Sequence, residues 1–307
     1  MVGSEEHPAV ARLRRTHDPD LLGLLSAGIT GADLTSLLLE AMRQRVGLRT
    51  AADVLHQYER DRFVRPAALD PLRLMEVEMR ALAAVVPPFE PVQLAPLAPF
   101  GAHAVVAGVN QHRVVTTVRG SDVVADPTNV LALEAAVRRR SDPRSPRTER
   151  LAAVSRVVRA QQFDAPNAFP HFSLLGMVSA GRDIGDNAFE IEACVEHLTT
   201  LLGAIERVHG GSVTIRLTDF DGRDANVLQT VIERIGSAAR AEEWPERTAA
   251  RGYYPGICFK LFVTHDGVEV EVADGGMVDW TQHLVASKKE RLMISGLGLE
   301  RLAFAGD

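Results

Sequence analysis

Two apolar segments, 257–264 and 268–273, are separated only by His265, Asp266 and Gly267, and this spacing restricts the fold more than any other feature of the chain. A parallel pair needs a crossover of a dozen or more residues, whereas a short turn joins antiparallel neighbours. The segments 152–159 and 171–178 also read as strands, joined by a polar loop that holds Asp164, Pro166, Asn167 and Pro170. Further strands are expected at 212–218 and 292–297, and helical patterns occupy 129–140, 188–208 and 225–239. The short connections predict an α+β fold, an antiparallel sheet flanked by helices, rather than a doubly wound parallel sheet.

The first third reads mainly as helix. Leu34, Leu37, Leu38, Ala41 and Met42 recur at helical spacing, with Asp33 expected to cap the start and Gly47 to end the run. A second helix is expected from Thr50. Asp70 followed by Pro71 predicts a third, running to about Val86, because an aspartate oxygen accepts orphan N–H groups and proline suits the first helical position. Pro87 and Pro88 break it, and 89–97 reads as extended chain interrupted by Pro91 and Pro96. Beyond residue 100, 104–109 and 113–118 suggest a hairpin around Asn110-Gln111-His112, with a short strand at 123–125. The expected organisation is a helical segment over 1–66 and a larger domain over 67–307, without internal repeats.

Composition narrows the functional classes. The 307 residues are 46% hydrophobic, ample for a packed core, and Lys+Arg 34 against Asp+Glu 40 makes no global case for a nucleic acid or an anionic membrane. Cys194 and Cys258 stand far apart, residues 1–7 carry no apolar signal region, and no run approaches a membrane span, so a cytoplasmic protein is expected. His197, His209, His265 and His283 show no ligand spacing, so no protein-held metal is expected. Arginines 138, 139, 140, 144, 147 and 150 read as a solvated helix end and loop, and Lys288, Lys289 and Arg291 as exposed charge. Asp219, Asp221 and Asp224 form an acidic turn in which Asp224 would cap the next helix.

Four segments carry candidate chemistry. Gly296-Leu297-Gly298-Leu299-Glu300-Arg301-Leu302 runs an apolar strand through glycines into a helix that opens with an arginine. Glycine lets backbone approach a flat ligand, and arginine offers a fixed, always-charged fork to phosphate. Upstream, Arg159 ends one arm of a strand pair whose return begins His171-Phe172. Between them lie Arg251-Gly252-Tyr253-Tyr254-Pro255-Gly256 and Ala273-Asp274-Gly275-Gly276-Met277-Val278-Asp279.

In order and approximate spacing these segments resemble the catalytic domain of class II aminoacyl-tRNA synthetases, most closely histidyl-tRNA synthetase and its paralogues, from about residue 70 onward. The resemblance implies motif 2 at Arg159, which would contact the α-phosphate of ATP, and motif 3 in the Gly-Leu-Glu-Arg-Leu element, with Arg301 on the γ-phosphate. Gln161, Phe172, Gly296 and Gly298 would complete the nucleotide site. Val124-Ala125-Asp126-Pro127-Thr128 looks like the family's Leu-Arg-Pro-Glu-Gly-Thr element, so Asp126 would pair with a substrate ammonium and Thr128 would bond beside it. Tyr253, Tyr254, Gly275 and Gly276 would form the remaining pocket wall. The long helix and strand of motif 1, here 70–86 and 89–97 with Pro96, imply a homodimer.

The departures from that pattern are specific. Gln161 replaces the glutamate that reads adenine; Pro170-His171-Phe172-Ser173-Leu174 lacks an arginine and a substrate-contacting glutamine; Val178 stands where a glutamate is expected. The catalytic arginine falls on Ala249, with Arg251 or Arg247 as replacements if the loop is shorter or refolded. There is no room for the insertion domain and no anticodon-binding domain after motif 3, so tRNA is not the expected partner. The expected activity is ATP- and Mg²⁺-dependent activation of an amino acid or related carboxylic acid as an acyl-adenylate, passed to a small amine or a protein acceptor. The alternative is a non-catalytic regulatory subunit similar to the histidyl-synthetase-like subunit of ATP phosphoribosyltransferase.

Overall fold

The computed structural model describes residues 7–161, 169–222 and 225–304. The chain divides into two compact units, Met1–Asp61 with Thr116–Ser121, and Arg62–Val115 with Asp122–Asp307. The expected loop residues Asp164, Pro166 and Asn167, and the expected cap Asp224, lie outside the described residues.

The first unit is helical: α1 (Pro8–Thr16), α2 (Leu21–Gly23), α3 (Gly31–Val46) and α4 (Ala51–Arg60). The cap of α3 is Thr30 rather than Asp33, because the Thr30 hydroxyl is the oxygen that reaches an N–H three residues on. Asp33 sits in the first turn and accepts from that hydroxyl at 2.8 Å. Thr50 and Asp53 form a reciprocal capping box at the start of α4, and hydrogen bonds from Thr50 hold the Asp53 carboxyl below its ordinary range.

The second unit contains, in chain order, α5 (Pro71–Val85), β1 (Glu90–Pro91), β2 (Leu97–Pro99), β3 (Ser121–Val123), α6 (Pro127–Ser141), β4 (Glu149–Val158), β5 (His171–Arg182), α7 (Ala188–Val208), β6 (Val213–Asp219), α8 (Ala225–Ile235), β7 (Arg240–Glu243), β8 (Ile257–His265), β9 (Val268–Val278), α9 (Trp280–Leu284), β10 (Glu290–Gly298) and α10 (Leu299–Phe304). Among the described residues an eight-stranded sheet runs β1-β4-β5-β10-β9-β8-β6-β7. It is antiparallel except at its two edges, where β1 pairs with β4 and β6 with β7 in parallel. The turn at 265–267 joins β8 to β9, as the spacing requires. No helix among the described residues is long and apolar enough to cross a membrane.

One face of the sheet packs on α5, α7, α8 and α10 through Val77, Leu198, Leu201, Ile215, Phe259 and Leu302, all essentially buried. The other face carries α6 and α9 through Leu131, Ala135, Leu292 and Trp280. Removal of this apolar surface from water is the main force that orders the layers. Asp70 caps α5 as expected, accepting from Leu72 N–H at 3.0 Å.

The hairpin expected over 104–109 and 113–118 does not form. Gly101 takes a φ of +79°, and Ala102–Val106 becomes a wide helical turn that carries His103 inside. There the Ala125 N–H donates to His103 Nε2, so the proton sits on Nδ1 and is donated to Asn129 Oδ1 at 2.6 Å. The second arm instead meets other partners: Val123 N–H donates to the Val115 carbonyl and Ala160 N–H to the Arg113 carbonyl. Alternating Val and Ala fit a strand or a buried turn equally well, and the histidine's polar partners decide between them.

Of the arginines expected as a solvated group, Arg140, Arg144 and Arg147 are exposed, whereas Arg138, Arg139 and Arg150 are drawn into ion pairs. Arg138 pairs with Glu90 and Glu134, Arg150 with Glu196, and Arg139 is buried on Glu290 while bonding the Ser145 and Arg147 carbonyls. Arg291 bridges Asp183 and Glu190.

Gly176 on β5 lies under the start of α6, where an added Cβ would stand 2.7 Å from the Pro127 ring. At Gly296, its register partner on β10, a Cβ would meet only ordinary contacts with Leu174 at 3.5 Å or more. Gly176→Ala is therefore expected to cost about 1–3 kcal/mol of stability and Gly296→Ala less than about 0.5 kcal/mol. Urea denaturation of both variants checks the contrast; equal losses would refute it.

Candidate functional site

A cavity of about 430 Å³ opens on the sheet face that carries α6. Its floor is the exposed end of β10, at Ile294, Gly296 and Gly298, beside Asp274 of β9. Gly296 and Asp274 are direct register partners, so both face the same side. Gly296 and Gly298 line the floor without side chains, where an added Cβ would meet only ordinary contacts at 3.5 Å or more.

The wall over α6 begins at Asp126, followed by Pro127 at the first helical position, the same signal as at Asp70. Its Oδ1 accepts the Thr128 N–H at 2.9 Å and the Thr128 hydroxyl at 2.7 Å. Its Oδ2 accepts from Arg159 Nη2 at 3.3 Å, while Arg159 Nε donates to the Ala125 carbonyl at 3.0 Å. The Arg159 guanidinium also lies 5.1 Å from the Phe172 ring centre. The arginine that ends β4 is thus held between the helix start and an aromatic plate, with its charge on the cavity wall.

Of the residues expected in a nucleotide or amino-acid site, Asp126, Thr128, Arg159, Gln161, Phe172, Tyr253, Tyr254, Gly296, Gly298 and Arg301 all line this cavity. Arg301 donates to the Glu271 carbonyl at 3.1 Å. Three residues lie elsewhere. Arg251 is outside the lining, its guanidinium 4.9 Å from the Phe220 ring centre. Gly275 and Gly276 are packing positions: a Cβ on Gly276 would strike Tyr254 and Cys258 at 2.7 Å, and one on Gly275 would strike Phe259 and the Ile294 carbonyl. Gly276 therefore serves the cavity indirectly, by letting the Tyr254 ring lie on the sheet.

Tyr254, expected in the pocket wall, and Arg247, expected only as a replacement arginine, meet on Asp274, for which the sequence suggests no role. Tyr254 donates its hydroxyl to Asp274 Oδ1, and Arg247, fully buried, donates to Asp274 Oδ2 at 2.9 Å and to the Ala249 carbonyl at 3.1 Å. Burial pushes the Asp274 carboxyl above its ordinary range, with Tyr254 and Arg247 pulling the other way. Burial raises both tyrosine hydroxyls as well, and the Asp126 and Asp274 charges add to that at Tyr253. Glu300 also lines the cavity; burial raises it against the Ser173 N–H bond and the Arg156 charge. Arg113, the last cation of the lining, is exposed. The Asp-Pro pair at 126–127 is the signal that could have moved the expected helix start from 129 to 127; Arg247 is expected only as a replacement arginine, and its bond to Asp274 is visible only in the fold.

Beneath the floor, His197 of α7 is fully buried between two serines, with Nδ1 2.8 Å from Ser295 Oγ and Nε2 3.0 Å from Ser179 Oγ. Ser295 also borders the cavity. Desolvation, then the Arg150 charge, pushes the His197 imidazole down to about 3. The unfolded histidine takes up a proton below its ordinary value of 6.5, so the unfolded state binds more protons throughout the window between these values. Stability from this group is fully present above the upper value and is lost as the pH falls toward the lower. The slope reaches about 1.4 kcal/mol per pH unit. Denaturation midpoints measured from pH 7 to pH 5 should show it, and His197→Gln should flatten it; parallel curves would sink this assignment.

The fold is that of a class II aminoacyl-tRNA synthetase-like domain. Among solved structures, the chain is similar to the apo histidyl-tRNA synthetase of S. aureus, with a TM-score of 0.61 and 12% identity over 78% of this chain and 68% of that one. An ATP phosphoribosyltransferase regulatory subunit/histidyl-tRNA synthetase from Bacillus halodurans C matches with a TM-score of 0.60 and 14% identity, over 79% and 81% of the two chains. A histidine–tRNA ligase subunit from Alicyclobacillus acidocaldarius gives 0.56 and 14%, over 78% and 96%. No protein-family profile matches the sequence, and no curated protein matches it either. Likeness at such identity establishes the fold.

Proposed function

We propose that this protein is an ATP-dependent adenylate-forming enzyme acting on an amino acid or related carboxylic acid. The observation that carries the reading is the convergence of Arg159, Arg301 and Asp126 on one cavity floored in part by Gly296 and Gly298. Its volume of about 430 Å³ falls within the usual range for small-molecule sites. In this reading Phe172 and the glycine strip receive the base and sugar, and Arg159 and Arg301 hold phosphate. Asp126 receives the substrate ammonium. A substrate carboxylate oxygen bonds to the α-phosphorus as the bond to pyrophosphate breaks; an amine acceptor then takes the acyl group and releases AMP. Positioning and charge stabilisation supply the catalysis. No group of three or more metal-type side chains among the described residues is arranged to hold an ion, so Mg²⁺ would come with the phosphates.

Arg159→Ala is expected to lower the rate of amino-acid-dependent exchange of pyrophosphate into ATP by about 100-fold or more. Arg251→Ala, outside the cavity, should leave it nearly unchanged. The reading fails if no common amino acid supports exchange and calorimetry detects no ATP binding.

The position of Arg251 favours one alternative, a regulatory role like that named for the Bacillus halodurans neighbour. Activation of a phosphoribosyltransferase in the absence of any exchange activity would select it.

We also propose a homodimer. Leu72, Met75 and Met79 form one outward stripe of α5 and are 75%, 63% and 66% exposed, and an apolar helix face of that kind ordinarily has a partner. Sedimentation at micromolar concentration should give a dimer, and Met75→Glu with Met79→Glu a monomer; a wild-type monomer would refute it.

A further inference from the structure

Two carboxylates on different elements, Asp126 and Asp274, line the cavity together with Tyr253. Tyr253 feels the charges of both Asp126 and Asp274, yet the two acids differ in how far their oxygens are occupied. An ionised carboxylate has about four acceptor sites. Asp126 uses three, for the Thr128 N–H, the Thr128 hydroxyl and Arg159. Asp274 uses two, for Tyr254 and Arg247, and its side chain remains 34% exposed in the cavity.

The supports of Asp274 do not exist for packing alone. Arg247 is the largest side chain among those fully buried, and its Nη1 has no hydrogen-bond partner among the described residues. An aliphatic side chain would fill that space without a desolvation cost. Arg247 and the Tyr254 hydroxyl hold Asp274 in place with its free lone pairs toward the cavity. If a nucleotide and a monoamine filled the site, those lone pairs would be sealed away from water unsatisfied.

We infer that the cavity takes a diamino or guanidino amino acid, whose α-ammonium meets Asp126 and whose side-chain cation meets Asp274. Asp274 is then the residue that determines specificity, and Arg247 is a positioning residue that acts through it. The inference rests on the proposed amino-acid site, but it concerns binding and not the reaction. It is distinct from imidazole recognition, since at pH 8 a free imidazole carries no charge.

The test is a panel of ligands on the unaltered protein at pH 8 with ATP and Mg²⁺: lysine, ornithine and arginine against norleucine, citrulline and histidine, by calorimetry and by pyrophosphate exchange. Each charged side chain should bind about 10- to 100-fold more tightly than its neutral counterpart. Asp274→Asn should abolish the preference. Should that variant unfold because Arg247 is left unpaired, the double variant Arg247→Met with Asp274→Asn removes both buried charges and should show the same loss. A preference for norleucine, citrulline or histidine overturns the inference, and exchange with those ligands would leave the adenylating activity standing. Selective binding of the charged set without exchange upholds the inference and removes the adenylating activity. Absence of amino-acid binding overturns both.

Discussion

The carboxylate of Asp126 joins three parts of the molecule. One oxygen closes the first turn of α6 through Thr128, and the other holds Arg159 at the end of β4. Pro127 beside it presses on Gly176, so the helix is seated on β5 at a distance that only a glycine permits. The depth of the cavity depends on that seating: its roof begins where α6 begins, and its floor is the strand beside β5. His103 adds a second tether, from the loop to Asn129 and Ala125, so the helix start is bonded on two sides. Satisfied buried polar groups of this kind select one arrangement over others of similar apolar content.

The same carboxylate changes the meaning of the unliganded site. Arg159 and Asp126 form an ion pair, so under the proposed function the cation for phosphate and the anion for ammonium are each other's partners until a substrate arrives. A zwitterion with its carboxylate toward Arg159 and its ammonium toward Asp126 would replace one ion pair with two opposed contacts. Because the pair is about a quarter to a third exposed, its own attraction is modest, and exchanging it for ligand contacts costs little.

Elements with a period of their own were legible in the sequence. The long α7, the hairpin of β8 and β9, the proline-led α5 and the strand-to-helix transition at β10 and α10 all follow from spacing and caps. Segments decided by distant partners were not. The 102–106 turn depends on His103 finding Asn129, and the parallel edge strand β7 on hydrogen bonds to β6. Among the arginines near 140, Arg140, Arg144 and Arg147 are exposed as their sequence suggests, but Arg139 is buried by Glu290, a partner remote in sequence. At the site, residues in local motifs could be read, whereas Asp274 acquires its role from Tyr254 and Arg247, neither adjacent to it in the chain.

The arginine-tyrosine segment illustrates how a charge can persist while its use changes. Arg251 and Arg247 both lie within a few residues of the tyrosine pair, and either would satisfy a requirement for positive charge near it. Their environments separate them: Arg251 lies over Phe220 outside the cavity, whereas Arg247 is buried behind Asp274. The hydrogen bonds of Arg247 go to Asp274 and the Ala249 carbonyl, and Arg247 does not line the cavity. What Arg247 supplies is a fixed position for Asp274. Along this wall the fold therefore holds an acceptor for nitrogen, and the positive charge available to phosphate comes from Arg113, Arg159 and Arg301. Under the proposed function, transition-state stabilisation would depend on the geometry of those three and on Mg²⁺ carried by the nucleotide, while selection of the substrate would depend on the carboxylates.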